Sequence, residues 1–148
     1  LFRSSMDYKH GSHTLHDLKY HVVFCTKYRY RILTGEVAKR CRELIREVCT
    51  SNYIDIISGG LSPDHIHLLL SISPSLPLWK VMQYIKGKSS RRLVQEFEHL
   101  RKRYWGQHLW ARGYFAVTVG NVNSEVVQRY IEQQETHHRK DNFNISEF

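Results

Sequence analysis

His65 and His67 flank a single isoleucine in the run Asp64-His65-Ile66-His67-Leu68-Leu69-Leu70. In a strand, alternate side chains share a face, so both imidazoles point one way while Ile66, Leu68 and Leu70 point the other. Two imidazoles side by side can chelate one cation. Farther along, Tyr130 and Gln134 stand four residues apart, which puts them on one face of a helix. A phenol is a weak nucleophile at neutral pH, because its unperturbed pKa is about 10. It needs a metal or a base near the phosphate it attacks. A glutamine carbonyl is a neutral, hard oxygen that could complete a site begun by two histidines. Each feature also has an ordinary explanation. Most His-x-His pairs are half-exposed or hydrogen-bonded histidines, helix tyrosines usually pack, and helix glutamines usually face water.

Positioning these groups requires a sheet and at least one further helix. Residues 17–26 read as a strand centred on Val22, Val23, Phe24 and Cys25. Residues 29–35 read as a basic loop. Residues 36–50 repeat Val37, Cys41, Leu44, Ile45, Val48 and Cys49 at helical spacing. Residues 53–58 are a β-branched strand, ended by a break at Gly59-Gly60. Pro63-Asp64 turns the chain into a strand over 65–72. A second helix starts at Leu78, bends at Gly87 and resumes towards Phe97. Residues 114–119 form a fourth strand. Asn123 or Ser124 caps a last helix, with Val127 and Ile131 as its apolar stripe.

The order β-α-β-β-α-β plus a helix predicts an α+β, ferredoxin-like (RRM-like) fold. This is a four-stranded antiparallel sheet with two helices on one face and an extra C-terminal helix carrying the tyrosine. The histidine pair then falls on the face that the two helices leave open. Residues 1–148 form one domain on this reading, with about 1–14 and 139–148 flexible. Asp64 would be an ordinary turn aspartate, or else would orient His65.

The 148 residues carry a formal charge of +8 and a pI of about 9.5, which suggests a polyanionic partner. Between Lys86 and Arg103 lie seven basic residues and two acidic ones, with Tyr84, Tyr104, Trp105 and Trp110 interleaved or nearby. Basic side chains neutralise phosphates and exposed aromatics stack on unpaired bases. Lys86, Lys88, Arg91 and Arg92 are the candidate phosphate contacts. The odd cysteine count, with no C-x-x-C pair, argues against a disulfide framework and a zinc knuckle. Cys41 and Cys49 read as core. No apolar run is long enough to span a bilayer, and the first thirty residues lack the apolar core of a signal peptide. A cytoplasmic protein that acts at the nucleoid is expected, with no membrane partner.

Taken together, the pieces resemble the single-tyrosine HUH transposases of small insertion sequences. The resemblance rests on His65-Ile66-His67 and the Tyr130-x-x-x-Gln134 helix. It rests also on Leu18-Lys19-Tyr20-His21-Val22-Val23-Phe24, Cys25-Thr26-Lys27-Tyr28-Arg29, Ser62-Pro63-Asp64-His65, Tyr84-Ile85-Lys86-Gly87-Lys88-Ser89-Ser90 and Leu109-Trp110-Ala111-Arg112-Gly113-Tyr114. It spans about 18–134. The resemblance implies a metal, Mg²⁺ or Mn²⁺, held by His65, His67 and Gln134. It implies attack by Tyr130 on a scissile phosphate of single-stranded DNA, giving a 5′-phosphotyrosine and a free 3′-hydroxyl. It further implies recognition of DNA hairpins at element ends, and a homodimer whose active sites are shared between subunits. Imidazole ligands suit Mn²⁺ or Zn²⁺ better than Mg²⁺. Three other readings remain open: a domesticated relative that cleaves host repeat hairpins, a non-catalytic ferredoxin-like nucleic-acid-binding module, and an unrelated metallohydrolase using His65 and His67.

Overall fold

The computed structural model describes residues 17–105, 108–119, 129 and 131–132. Chain order is β1 (Leu18–Cys25), a 3-10 turn (Lys27–Arg29), α1 (Gly35–Ser51), β2 (Asp55–Ser62), β3 (His65–Ile72), α2 (Leu78–Glu96), α3 (Glu98–Tyr104) and β4 (Phe115–Thr118). The four strands make one antiparallel sheet in the order β2-β3-β1-β4. This is the ferredoxin-like arrangement that the element order implies.

Period-2 patterning in the strands and period-3.6 patterning in the helices put the core between one sheet face and one helix layer. β1 contributes Val22 and Phe24, and β3 contributes Ile66, Leu68, Leu70 and Ile72. Against them α1 buries Val37, Cys41, Leu44, Ile45, Val48 and Cys49, the stripe read from sequence, and α2 buries Val81, Met82, Ile85 and Leu93. Outside the core, Arg40 of α1 and Arg92 of α2 both bind Glu96, at 2.7 Å and 2.9 Å. These exposed contacts orient the two helices more than they stabilise them.

Three local expectations need correction, and one helix, α3, was not expected. Gly59-Gly60 does not break the strand, because β2 runs through both glycines, pairing them with Leu68 and His67. Gly87 does not bend α2, which is continuous over Leu78–Glu96. The basic segment beyond Phe97 forms α3, anchored by buried Leu100 and Tyr104. Residues 29–35 are not simply a basic loop, since Arg29 is buried. Of the expected last helix, Arg129, Ile131 and Glu132 are helical and Ile131 is buried. The rest of that helix and both expected flexible ends lie outside the described residues.

Candidate active site

Strand alternation sends His65 and His67 to the sheet face opposite α1 and α2, as their spacing requires. Their cross-strand neighbours set the surroundings. His65 lies between Cys25 of β1 and Ser62 of β2, and His67 between Val23 of β1 and Gly60 of β2. Gly60 is the reason the His67 ring can lie where it does. A Cβ on Gly60 would run into the imidazole itself, with Nε2 its nearest atom. Neighbouring Gly59 meets the other side of the same strand, where a Cβ would lie 2.7 Å from Leu68 Cδ2. The two glycines thus serve close packing across the ladder.

His65 is buried at 1% exposure, and its Nδ1 lies 2.8 Å from Asp64 Oδ1. That contact sets the ring's orientation and leaves Nε2 as the nitrogen suited to a ligand. The other carboxylate oxygen, Oδ2, accepts from Arg29 Nε at 3.2 Å and faces Arg29 Nη2 at 3.2 Å. Arg29 and Asp64 are themselves 2% and 1% exposed. Burial alone would raise the Asp64 carboxyl. The hydrogen bond to His65 and the Arg29 charge outweigh burial and hold it below the ordinary carboxylate range. Burial, then the nearby His65 and His21 rings, lowers His67 below its ordinary value and favours the neutral, ligating form.

The arginine sits on strained backbone that surrounding contacts hold in place. Tyr28 and Arg29 have φ of 64° and 54°, two consecutive left-handed residues that are not glycine. Such conformations cost on the order of 1 kcal/mol or more each and persist only where surrounding contacts impose them. Here Thr26 N donates to Asp64 O at 2.9 Å, Thr26 Oγ1 donates to Tyr30 O at 2.7 Å, and Leu33 N donates to Pro63 O at 2.9 Å. The turn after β1 is thereby tied to the turn before β3, and Arg29 is carried inward under Asp64.

The structure therefore brings His65 and His67 together and adds Asp64, Arg29 and Gly60 as their supports. Asp64 as an orienting group for His65 was readable from adjacency. Gly60 could have been found by counting back across the Pro63-Asp64 turn, which sets Ser62 opposite His65 and Gly60 opposite His67. Arg29 ends one of the segments on which the resemblance rests, but its burial carries no sequence signal, since a buried arginine in a basic run looks like its exposed neighbours. Tyr130 and Gln134 lie outside the described residues.

The four candidate phosphate contacts sit on α2, in the helix layer, across the sheet from the histidines. Lys86 Nζ donates to Ala111 O at 2.9 Å and Gly113 O at 2.7 Å, and burial lowers its pKa. Arg92 is engaged with Glu96 through Nε and Nη2. Lys88 and Arg91 have no ion pair among the described residues, and Arg91 is exposed. Of the four, Lys88 and Arg91 are the more available to a ligand.

The chain is similar to known proteins in sequence and in fold. Residues 14–134 match the family model described as IS200-like transposase. The chain is 34% identical over 129 residues to the ISDra2 transposase TnpA of Deinococcus radiodurans, covering 87% of this chain and 92% of that one. It is 38% identical over 128 residues to the transposase for insertion sequence element IS200 of Salmonella typhimurium, covering 86% and 84%. A crystal structure from Deinococcus radiodurans, of a protein described as a transposase, superposes with a TM-score of 0.75 at 34% identity, covering 85% of this chain and 97% of that one. A REP-associated tyrosine transposase bound to a REP hairpin shares the fold at a TM-score of 0.54 and 11% identity, covering 88% and 73%.

Proposed function

The chain belongs to the IS200-like transposases, enzymes that cut and rejoin DNA strands, and we propose that it does so through a covalent 5′-phosphotyrosine at Tyr130. The observation that carries this reading is the pair of same-face imidazoles, one braced by Asp64 and the other seated over Gly60. Neutral nitrogen donors held in fixed orientation fit a divalent cation, and His65, His67 and Gln134 would hold it. Bound there, Mg²⁺ or Mn²⁺ would polarise the scissile phosphate and offset charge developing on its oxygens.

The chain's own residues do the rest. Asp64 holds the His65 ring, and Arg29 holds Asp64. The Tyr130 oxygen forms a bond to phosphorus as the bond from phosphorus to the 3′-oxygen breaks. The phenol loses one proton and the departing 3′-oxygen gains one, so the step is balanced. The phosphotyrosine conserves the energy of the broken bond. A 3′-hydroxyl can then attack it, rejoining strands and releasing Tyr130. In this reading the substrate is single-stranded DNA with a hairpin, and two copies of the chain share their active sites.

The experiment uses end-labelled single-stranded DNA carrying an element-like hairpin, with Mg²⁺, Mn²⁺ or EDTA. Wild type is expected to form a metal-dependent labelled band on a denaturing protein gel. Tyr130→Phe is expected to form none. Cleavage that persists in Tyr130→Phe would favour a metallohydrolase. Binding of a cognate end without cleavage would favour a non-catalytic module.

A further inference from the structure

β2 is an edge strand, with β3 on one side and no strand of the described residues on the other. Its register shifts between Ile56 and Ser58, so the straight outer edge runs over 58–62. Such an edge presents backbone N–H and C=O groups that can pair with one more extended segment.

A pocket of about 120 Å³ opens beside that edge, on the face that packs against α1. Gly59 puts no side chain there, and Ile45 of α1, Leu61 of β2 and Leu68 of β3 make apolar walls. An apolar cavity of roughly 150 Å³ takes one benzene ring, so this pocket suits a single apolar side chain. Arg42 and Arg46 stand on its rim, four residues apart on one face of α1. Both are exposed. The carboxylates of Glu43, Glu47 and Glu96 face Arg40 instead. The groove therefore fits an extended segment that offers an apolar side chain beside a carboxylate.

The chain itself contains one. Residues 141–148 read Asp-Asn-Phe-Asn-Ile-Ser-Glu-Phe. In a chain of net charge +8, this stretch carries two carboxylates, Asp141 and Glu147, and no lysine or arginine. In an extended segment Asp141, Phe143, Ile145 and Glu147 fall on one side. That side sets two apolar groups between two acids, the complement of an apolar pocket rimmed by two arginines. Gln134 precedes Asp141 by seven residues, and seven extended residues span up to about 23–25 Å. Neighbouring strands are only about 4.8 Å apart. A Gln134 held at His67, which lies opposite Gly60 of β2, leaves enough chain for 141–148 to pass round the β2 edge.

We propose that this groove holds the chain's own segment 141–148. Phe143 fills the pocket, Asp141 beside it meets Arg42 and Arg46, and Glu147 adds to the attraction. The segment lies along β2 as an added strand and closes the helix carrying Tyr130 over the histidine face. That closure rests on the active site proposed above; the docking itself does not.

The test is hydrogen–deuterium exchange on the whole chain, read by mass spectrometry of its peptides. Amides of 141–148 are expected to exchange at least about tenfold more slowly than in a free synthetic peptide of the same sequence. Arg42→Glu/Arg46→Glu should bring them to the free-peptide rate. Adding Asp141→Arg/Glu147→Arg to that variant should restore slow exchange, which a loss of folding could not do. Phe143→Ala should also abolish the protection, and should slow phosphotyrosine formation severalfold. Exchange of 141–148 at the free-peptide rate in wild type would overturn the proposal. So would protection that survives the arginine reversal. Protection of 58–62 that stays at the wild-type level in Phe143→Ala and falls on dilution would give the groove to a second copy, and overturns it too. Phosphotyrosine formed by Phe143→Ala at the wild-type rate would overturn the closure of the tyrosine helix. If 141–148 is protected and the charge swap restores it, but wild type forms no phosphotyrosine, the chemistry fails while the docking stands. If wild type forms the adduct while 141–148 exchanges freely, the docking fails while the chemistry stands.

Discussion

At the residue scale, the site depends on groups that do no chemistry themselves. Gly60→Ala puts a methyl group where the His67 imidazole lies. The ring must move, and a metal ligand displaced by even about 1 Å loses most of its value. Gly60→Ala is expected to weaken Mn²⁺ binding about tenfold or more by titration calorimetry, while the purified protein keeps its far-UV circular dichroism. Unchanged affinity would mean that His67 does not ligate in its observed rotamer. The histidines themselves were legible in the sequence because strand alternation fixes their common face. Arg29 was not. Its burial follows from two left-handed residues and from a turn 35 positions away, and no local pattern encodes either. Removing Arg29 would leave Asp64 as a buried charge without its cation, which typically costs about 3–5 kcal/mol.

At the element scale, the long periodic segments and the short strand β4 were read correctly, while the glycine-containing stretches of β2 and α2 and the charged α3 were not. The α1 stripe of six apolar positions repeats over several turns and leaves one face to bury. Gly59-Gly60 looked like a break because glycine usually is one. Here it is the only residue type that lets β2 lie against the His67 ring and Leu68. The seven residues of α3 are mostly charged, and only Leu100 and Tyr104 reveal that the segment packs. The α1 thiols carry a pH consequence. Burial pushes Cys41 and Cys49 each from 9.0 up to about 12. The unfolded thiols ionise first, so the folded state holds protons that the unfolded state has released. That stabilisation is fully present below pH 9 and is lost as the pH rises towards 12. Urea unfolding over this window is expected to show stability falling by up to about 1.4 kcal/mol per pH unit for each thiol. The Cys41→Ala/Cys49→Ala variant should fall less steeply, and an equal slope would contradict the burial assigned to these thiols.

At the scale of the whole molecule, a net charge of +8 is divided between two jobs. Arg40, Arg92 and Arg29 neutralise carboxylates within the protein. Lys27, Lys88, Arg91 and Arg112 have no ion pair among the described residues, and with Lys86 they make a basic helix-layer surface. If three to five of these meet phosphates, the logarithm of single-strand affinity should fall against the logarithm of salt with a slope of about −2 to −3.5. Arg92→Ala should leave that slope unchanged and Arg91→Ala should make it shallower. The opposite ranking would mean that the Arg92–Glu96 pair opens on binding. No helix among the described residues is long and apolar enough to cross a membrane. The central claim, a covalent link through Tyr130, is tested most directly by locating the linked nucleotide. After reaction with hairpin DNA and Mn²⁺, nuclease and then trypsin would release the peptide 130–139, bounded by Arg129 and Arg139. Mass spectrometry is expected to find that peptide carrying a nucleotide through a phosphodiester on Tyr130. A fully unmodified peptide 130–139 alongside cleaved DNA would contradict the account.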